Sequence, residues 1–138
     1  MRRMLALLAT GAATVSVLAA SAGAAPPSVQ VLIRHQVRGC HSWSVNSNAF
    51  AATQRLSVSP GTRFTFTDND VMSHQVVQLS GPKLALHAMN MHKVGAQASL
   101  QLFGKGRYVF GTKVGEDYMK GVKTIGEDNV LKLVVIAR

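Results

Sequence analysis

Hydrophobic and polar residues alternate over short stretches of this chain, and that alternation predicts β-strands. Residues 29–36 are rich in β-branched side chains and predict a first strand. Residues 55–59 and 63–67 alternate on either side of Pro60-Gly61, which indicates a hairpin. In the second of these segments the alternation places Phe64 and Phe66 on one face.

The second half of the chain repeats this pattern. Residues 74–79 predict another strand, and residues 97–103 and 107–110 flank the glycines of Gly104-Lys105-Gly106 as a second hairpin would. A closing strand is predicted over residues 130–136. Three segments without regular alternation are interpreted as loops: 38–48, 83–95 and 112–129.

About seven short strands at this spacing predict an all-β domain, an antiparallel Greek-key β-sandwich. If the Pro60-Gly61 and Gly104–Gly106 turns lie at one end of the sandwich, strand alternation places four other segments at the opposite end. These are the loop around Cys40, the turn at residues 68–73, the region of His92, and residues 116–119. Segments far apart in sequence would therefore converge on one rim.

The first 25 residues have the pattern of a secretory signal. Arg2 and Arg3 precede an apolar run that extends to about Ala20, and small residues then lead to Pro26-Pro27. The expectation is cleavage near Ala24 or Ala25, an exported protein in the periplasm or outside the cell, and one domain over residues 26–138. A retained membrane anchor is the alternative.

The charge of the chain is strongly basic, with 15 Lys and Arg against 6 Asp and Glu and a formal net charge of +9. Without Arg2 and Arg3, 13 basic residues remain against the same 6, so the charge of the exported domain becomes +7. The basic residues are scattered singly without stacking aromatics, so we expect no nucleic-acid partner. No catalytic motif is present, and we expect a binding protein rather than an enzyme.

Sulfur and imidazole side chains are concentrated in the segments that should converge. In an exported protein the single cysteine, Cys40, cannot form an internal disulfide, so it is buried, paired with another chain, or a ligand. Thioether, thiolate and imidazole donors favour copper, whereas zinc and calcium sites would need other ligand sets. The candidate donors are Cys40, His41, Met72, His74, Met89, Met91, His92, Glu116 and Met119.

Two stretches carry a resemblance to the cupredoxins, the family of plastocyanin, azurin and pseudoazurin. Residues 50–77, FAATQRLSVSPGTRFTFTDNDVMSHQVV, resemble the family's strands that lead into its first histidine ligand, here His74. Residues 104–110, GKGRYVF, resemble the strand before its second ligand loop. The resemblance spans roughly residues 28–138 and implies a copper-binding sandwich.

The chain departs from that family at two ligand positions. The family's copper-binding cysteine falls at Thr112, and its second histidine falls at Glu116. Only His74 and Met119 match family ligands, so the blue copper centre and its fast electron transfer are not implied. Cys40 lies on a loop that the family's topology puts beside the metal, where its thiolate could act as a substitute.

We therefore expect a non-standard copper site with Cys40 and His74 as its central pair. Glu116, Met119, Met72 or His41 would complete the ligand set. Such a protein would store, deliver or buffer copper, or pass electrons slowly, and its partners would be the copper ion and a redox or copper-transfer protein. No membrane contact is expected after signal cleavage. The alternative is a metal-free interaction module that kept the sandwich and lost the site.

Several of these side chains also have a purely structural interpretation. His74 could bond to the backbone of a turn, and Cys40 could be a small buried hydrophobic residue. Trp43 could fill the core or shield a metal. The methionines of residues 87–92, HAMNMH, could plug the sandwich, or this segment could collect copper. His35 is interpreted as an ordinary sheet residue.

Overall fold

The computed structural model describes residues 25–35, 41–121 and 130–138. The secretory signal predicted over residues 1–25 and the proposed ligand Cys40 lie outside the described residues, apart from Ala25 itself. The described segments form nine strands and one helical turn. In chain order these are β1 (Ser28–His35), β2 (His41–Val45), β3 (Thr53–Val58), β4 (Arg63–Asn69), β5 (His74–Ser80), β6 (Asn90–Met91), β7 (Gln97–Gln101), β8 (Gly106–Val114), α1 (Gly115–Tyr118) and β9 (Lys132–Ala137).

The strands form two sheets that pack face to face, which confirms the predicted β-sandwich. One sheet has the order β2-β1-β4-β7, and the other has the order β3-β9-β8-β5-β6. Five of the seven strand pairs are antiparallel, as predicted, but β1 pairs with β4 and β3 pairs with β9 in parallel. Each sheet is therefore mixed, because each contains one parallel pair.

Alternation along the strands builds the core as the sequence predicts. On β4, Phe64 and Phe66 are fully buried, whereas Arg63 is exposed. Phe66 contacts Phe110 of the opposite sheet at 6.4 Å between ring centroids, in an edge-to-face geometry. Tyr108 is buried on the same inner face of β8 as Phe110, and their rings stack.

The two predicted hairpins are wrong. Strands β3 and β4 lie in different sheets, so the Pro60-Gly61 turn carries the chain from one sheet to the other. Strands β7 and β8 are likewise in different sheets, so the Gly104–Gly106 turn also crosses between sheets. A short gap with a glycine specifies that the chain reverses, but it does not specify that the flanking strands pair. The Gly61 N–H donates to the carbonyl of Leu102, which places both turns at one end of the sandwich and meets the condition set in the sequence analysis.

All three predicted loops also contain regular structure, since the short strand β6 lies within residues 83–95. Residues 41–45, within the predicted loop 38–48, form β2, and all five are buried. Their glycine- and serine-rich surroundings suggested a loop, but Trp43 points into the core and β2 pairs with β1. The predicted loop over residues 112–129 begins later, because β8 continues to Val114 before α1. No helix in the described segments is long and apolar enough to cross a membrane.

Candidate metal centre

His74 begins β5 at the end of the sandwich opposite the two glycine turns. Alternation on β5 turns His74 and Val76 towards the interior, and the imidazole is fully buried. The cross-strand neighbours of His74 are Met91 on β6 and Val114 on β8. Because His74 is the first residue of β5, which lies between β6 and β8, its imidazole is placed just inside the rim of the sandwich.

Asp70 lies in the turn between β4 and β5 and accepts hydrogen bonds from two imidazoles. His41 Nδ1 lies 2.8 Å from Asp70 Oδ2, and His74 Nε2 lies 3.3 Å from the same oxygen. The Met72 N–H donates to Asp70 Oδ1 at 3.0 Å. Because an ionised carboxylate can only accept, His41 carries its proton on Nδ1 and His74 on Nε2 in this arrangement.

His35 brings a third imidazole to the cluster through the parallel pairing of β1 with β4. The register pairs Arg34 with Asn69, so the next residues along the two strands, His35 and Asp70, lie side by side. His35 Nδ1 is 3.8 Å from Asp70 Oδ1, and its side chain is 44% exposed. One ligand atom from each of His35, His41 and Asp70 lies within 4.8 Å of the others. We call His35, His41, Asp70 and His74 the imidazole cluster.

The Asp70 carboxylate is held in its charged form by its neighbours. Burial alone would raise its pKa, but the hydrogen bonds from His41 and His74 outweigh burial and hold the pKa well below its ordinary value. The rings of His41 and His74 are 4.7 Å apart and nearly perpendicular. Asp70 is therefore a buried anion facing imidazoles, which is a favourable environment for a cation.

Asp68 is a second buried carboxyl group beside the cluster. Burial raises its pKa to about 6, although the N–H of Asp70, which donates to Asp68 Oδ1 at 2.9 Å, partly offsets the rise. The Asp70 charge also raises this pKa, whereas His74 and His41 lower it. The pKa of Asp68 is therefore raised and that of Asp70 lowered, although the two aspartates are only two residues apart.

One ring nitrogen of His74 satisfies the requirement for a metal ligand. With the proton on Nε2, the Nδ1 atom carries a lone pair, and it is buried without a hydrogen-bond partner among the described residues. A buried polar atom without a partner is costly, and metal-binding histidines commonly donate their other nitrogen to a carboxylate. The residues present at this rim therefore fit a metal ion by donor type, and His74 can offer Nδ1 as a ligand atom while Nε2 donates to Asp70.

The six predicted ligands differ in where the structure places them. His41 and His74 belong to the imidazole cluster, and Cys40, which directly precedes His41, lies outside the described residues. Met72 and Met119 are half-buried, and the N–H of Met72 bonds to Asp70. Glu116 is exposed on α1. The imidazole cluster thus contains two of the predicted ligands and two residues that were not predicted.

Asp70 and His35 are the functional candidates that the sequence interpretation missed. Asp70 precedes His74 by four residues within the motif Asp-Asn-Asp-Val-Met-Ser-His, and that spacing is a usable signal. Nothing in the local sequence marks His35, because its position depends on a parallel pairing between strands distant in sequence.

The segment with two histidines and two methionines fits the plug interpretation. Met89 and Met91 are buried in the core, whereas His87 and His92 are exposed. Its methionine sulfurs are therefore used for packing. Trp43 is also fully buried in the core.

No family model matches this chain, and no curated protein sequence matches it. Proteins of known structure that resemble it include a cupredoxin and an inclusion body protein. One is described as a novel purple cupredoxin from Nitrosopumilus maritimus, with 17% identity, a TM-score of 0.45, and coverage of 77% of this chain and 97% of that chain. The other is an inclusion body protein, PixA, from Burkholderia cenocepacia J2315, with 10% identity, a TM-score of 0.48, and coverage of 86% and 100%.

Proposed function

We propose that this chain is an exported copper-binding protein that holds the ion in the imidazole cluster. The observation that carries the proposal is the placement of three imidazoles around one buried, ionised carboxylate, Asp70. Its resemblance to cupredoxins over residues 50–77 agrees with copper, although the ligand set would be its own.

The distances within the cluster suit a bound ion. Metal bonds of about 2.0–2.2 Å place neighbouring ligand atoms roughly 2.9–3.5 Å apart in square-planar or tetrahedral sites. The separations from Asp70 to His41, His74 and His35 are 2.8, 3.3 and 3.8 Å. An ion could therefore take the place of the ring protons shared with Asp70 after side-chain shifts of a few tenths of an ångström, and each displaced proton would move to the other ring nitrogen or to solvent.

The donor types favour the cupric ion. Imidazole nitrogen and carboxylate oxygen bind divalent first-row metals, and copper binds most tightly of these to a given set of such donors. A thiolate from Cys40, which is adjacent to His41 in the chain, would extend binding to the cuprous ion. We retain Cys40 as a proposed ligand of the reduced state.

Burial supports a role in storage or delivery more than in rapid turnover. His41 and His74 are fully buried, so most of the ligand shell is closed to solvent. His35 is the partly exposed member and offers a position where a partner could receive or supply the ion. We propose a copper-transfer or redox protein as that partner, and a binding role rather than catalysis.

A metal-free structural role is the second candidate, and one observation favours it. Asp70 already accepts hydrogen bonds from His41 and His74, so the cluster joins β2 to the turn between β4 and β5 without an ion. In that case the chain would be an interaction module that uses a buried polar network for rigidity.

Copper titration of the purified protein tests the proposal. Cupric affinity should fall at least tenfold in Asp70→Asn and His41→Ala, and should stay within about twofold in His87→Ala, whose imidazole is exposed and outside the cluster. Cys40→Ala should weaken binding of the cuprous ion selectively. Equal cupric affinity in the wild type, Asp70→Asn and His41→Ala would reject the cluster as the site.

A further inference from the structure

Five buried side-chain atoms have no hydrogen-bond partner among the described residues, and three of them lie on the elements that surround His74. These three are Asp68 Oδ2, His74 Nδ1 and Tyr118 Oη. They come from β4, β5 and α1, and α1 is far from the other two in sequence. Buried polar groups are nearly always paired, so three unpaired groups at one end of a domain call for a common ligand.

Strand alternation directs two of these groups towards each other. Asp68 continues the inward-facing row of Phe64 and Phe66 on β4, whereas His74 starts the inward-facing row of β5 in the opposite sheet. Both side chains are fully buried. They therefore approach from facing layers at the same end of the sandwich.

Tyr118 reaches this end from α1, directly after β8. Val114, the last residue of β8, is the cross-strand neighbour of His74, and Tyr118 follows it by one helical turn. The Tyr118 ring is 6.0 Å from that of His92, beside the Ser73 hydroxyl, which bonds to the His92 carbonyl. The phenol therefore closes the rim next to His74.

The charges at this end support their proximity. Burial raises the pKa of Tyr118, and the Asp68 charge raises it further, while the Ser73 hydroxyl partly offsets the rise without completing a regular hydrogen bond. These groups interact electrostatically in a buried environment that disfavours anions, and a bound cation would reverse that preference.

We infer that Asp68, His74 and Tyr118 form a second metal site, joined to the imidazole cluster by the His74 ring. His74 directs Nε2 towards Asp70 and Nδ1 away from it, so one ring lies between two sets of oxygen and nitrogen donors. The second site would take a cupric ion, because carboxylate, imidazole and phenolate suit divalent copper. This inference rests on the proposed function of the imidazole cluster.

Formation of the bridge releases one proton from His74 and one from Tyr118. Neutral His74 carries one ring proton, on Nε2, and that proton leaves to solvent when the first ion binds there. Nδ1 then ligates the second ion through its existing lone pair, so the ring becomes an imidazolate shared by two cations. Tyr118 releases its phenol proton on ligation. No electron is transferred, and no further reactant is needed.

Metal stoichiometry and electron paramagnetic resonance (EPR) of the copper-loaded protein test the bridge. The protein should retain two cupric ions per chain after removal of free copper by gel filtration. Two cupric ions that share an imidazolate couple magnetically, so the integrated EPR signal should fall clearly short of the copper content. Asp68→Asn and Tyr118→Phe should each retain one ion and restore a signal equal to the copper content.

Matched controls keep the outcome interpretable. Asn69→Ala changes an exposed neighbour of Asp68, and Tyr108→Phe removes a hydroxyl that bonds to Gly104 at the other end of the sandwich. Both should retain two coupled ions. Should Asp68→Asn fail to fold, Tyr118→Phe tests the same site from a different element.

The outcomes separate this inference from the proposed function. One ion in the wild type, with a full EPR signal that Asp68→Asn and Tyr118→Phe leave unchanged, would overturn the bridge and leave the imidazole cluster in place. Binding of no copper would reject both. Two ions whose EPR signal equals the copper content would show separate sites and would also overturn the bridge.

Discussion

His41 Nδ1 lies 2.8 Å from Asp70 Oδ2, and both side chains are almost completely buried. This contact joins an edge strand of one sheet to the turn that leads into the other sheet. Removal of a partner from a buried charged hydrogen bond typically costs about 3–5 kcal/mol, whereas exposed substitutions usually stay within about 0.5 kcal/mol.

Asp70→Asn should therefore destabilise the metal-free protein. An amide keeps one acceptor but loses the charge that faces His41 and His74, so we expect a loss of about 2–4 kcal/mol in the free energy of unfolding. Urea denaturation measures it, with Asn69→Ala as the control. A loss below about 1 kcal/mol would mean that the hydrogen bonds contribute little to the fold.

Asp68 should make the metal-free protein more stable in mild acid. Its pKa is about 6 in the folded state against an ordinary 3.8, so the folded protein binds the proton more tightly than the unfolded chain. Its contribution to the free energy of unfolding should therefore increase by about 1–3 kcal/mol as the pH falls from 7 to 4. Asp70 acts in the opposite direction only below about pH 4, because its pKa is lowered.

Asp68→Asn isolates this effect from other titrating groups. The variant should be more stable than the wild type at pH 7.5, and the difference should shrink at pH 4.5, with chelator present in every urea titration. A difference between the two proteins that does not change with pH would show that Asp68 titrates normally.

Trp43 should report copper binding by fluorescence. It is the only tryptophan, it is fully buried, and it lies two residues from His41 on the same strand. Residues two apart on a strand are about 7 Å apart, close enough for a cupric ion on His41 to quench the emission. Quenching should saturate with copper and disappear in His41→Ala, but persist in His87→Ala. Strong emission in the loaded wild type would argue against an ion at His41.

Gly111→Ala should destabilise the sandwich independently of the metal. An added Cβ would lie 2.9 Å from Leu79 Cδ1 and 3.0 Å from the backbone carbonyl oxygen of Leu131. The backbone atom cannot move away easily, so we expect a cost of about 1–3 kcal/mol. At Gly104 the nearest contact is the Tyr108 hydroxyl at the longer distance of 3.2 Å, and Gly104→Ala should cost less. Thermal unfolding of both variants compares them.

Much of the architecture could be predicted from the sequence because strand alternation is a local signal. The inward positions of Phe64 and Phe66 follow from period-two spacing alone. The same local signal cannot tell which strands pair. The chain reverses at Pro60-Gly61 whether its flanking strands share a sheet or face each other across the core, so the hairpin there was a reasonable and wrong prediction.

The candidate site could be predicted only in part for the same reason. His74 was identified from its place at the start of a strand, and His41 because it directly follows Cys40 in the sequence. His35 enters the cluster through the parallel register of β1 with β4, which no local pattern reveals. Asp70 lies in a stretch typical of turns, where aspartate usually bonds to nearby backbone. Its burial between imidazoles could therefore not be predicted from the sequence.

Strand β3 pairs in parallel with β9, although the two strands are far apart in sequence. Within the described residues, β9 is the only hydrogen-bonded sheet neighbour of β3. During synthesis, β3 therefore leaves the ribosome long before residues 132–137 exist, and its edge stays unpaired until the last strand arrives. Completion of this sheet must therefore wait for residues 132–137, and a nascent chain truncated before Lys132 should remain sensitive to protease and prone to self-association.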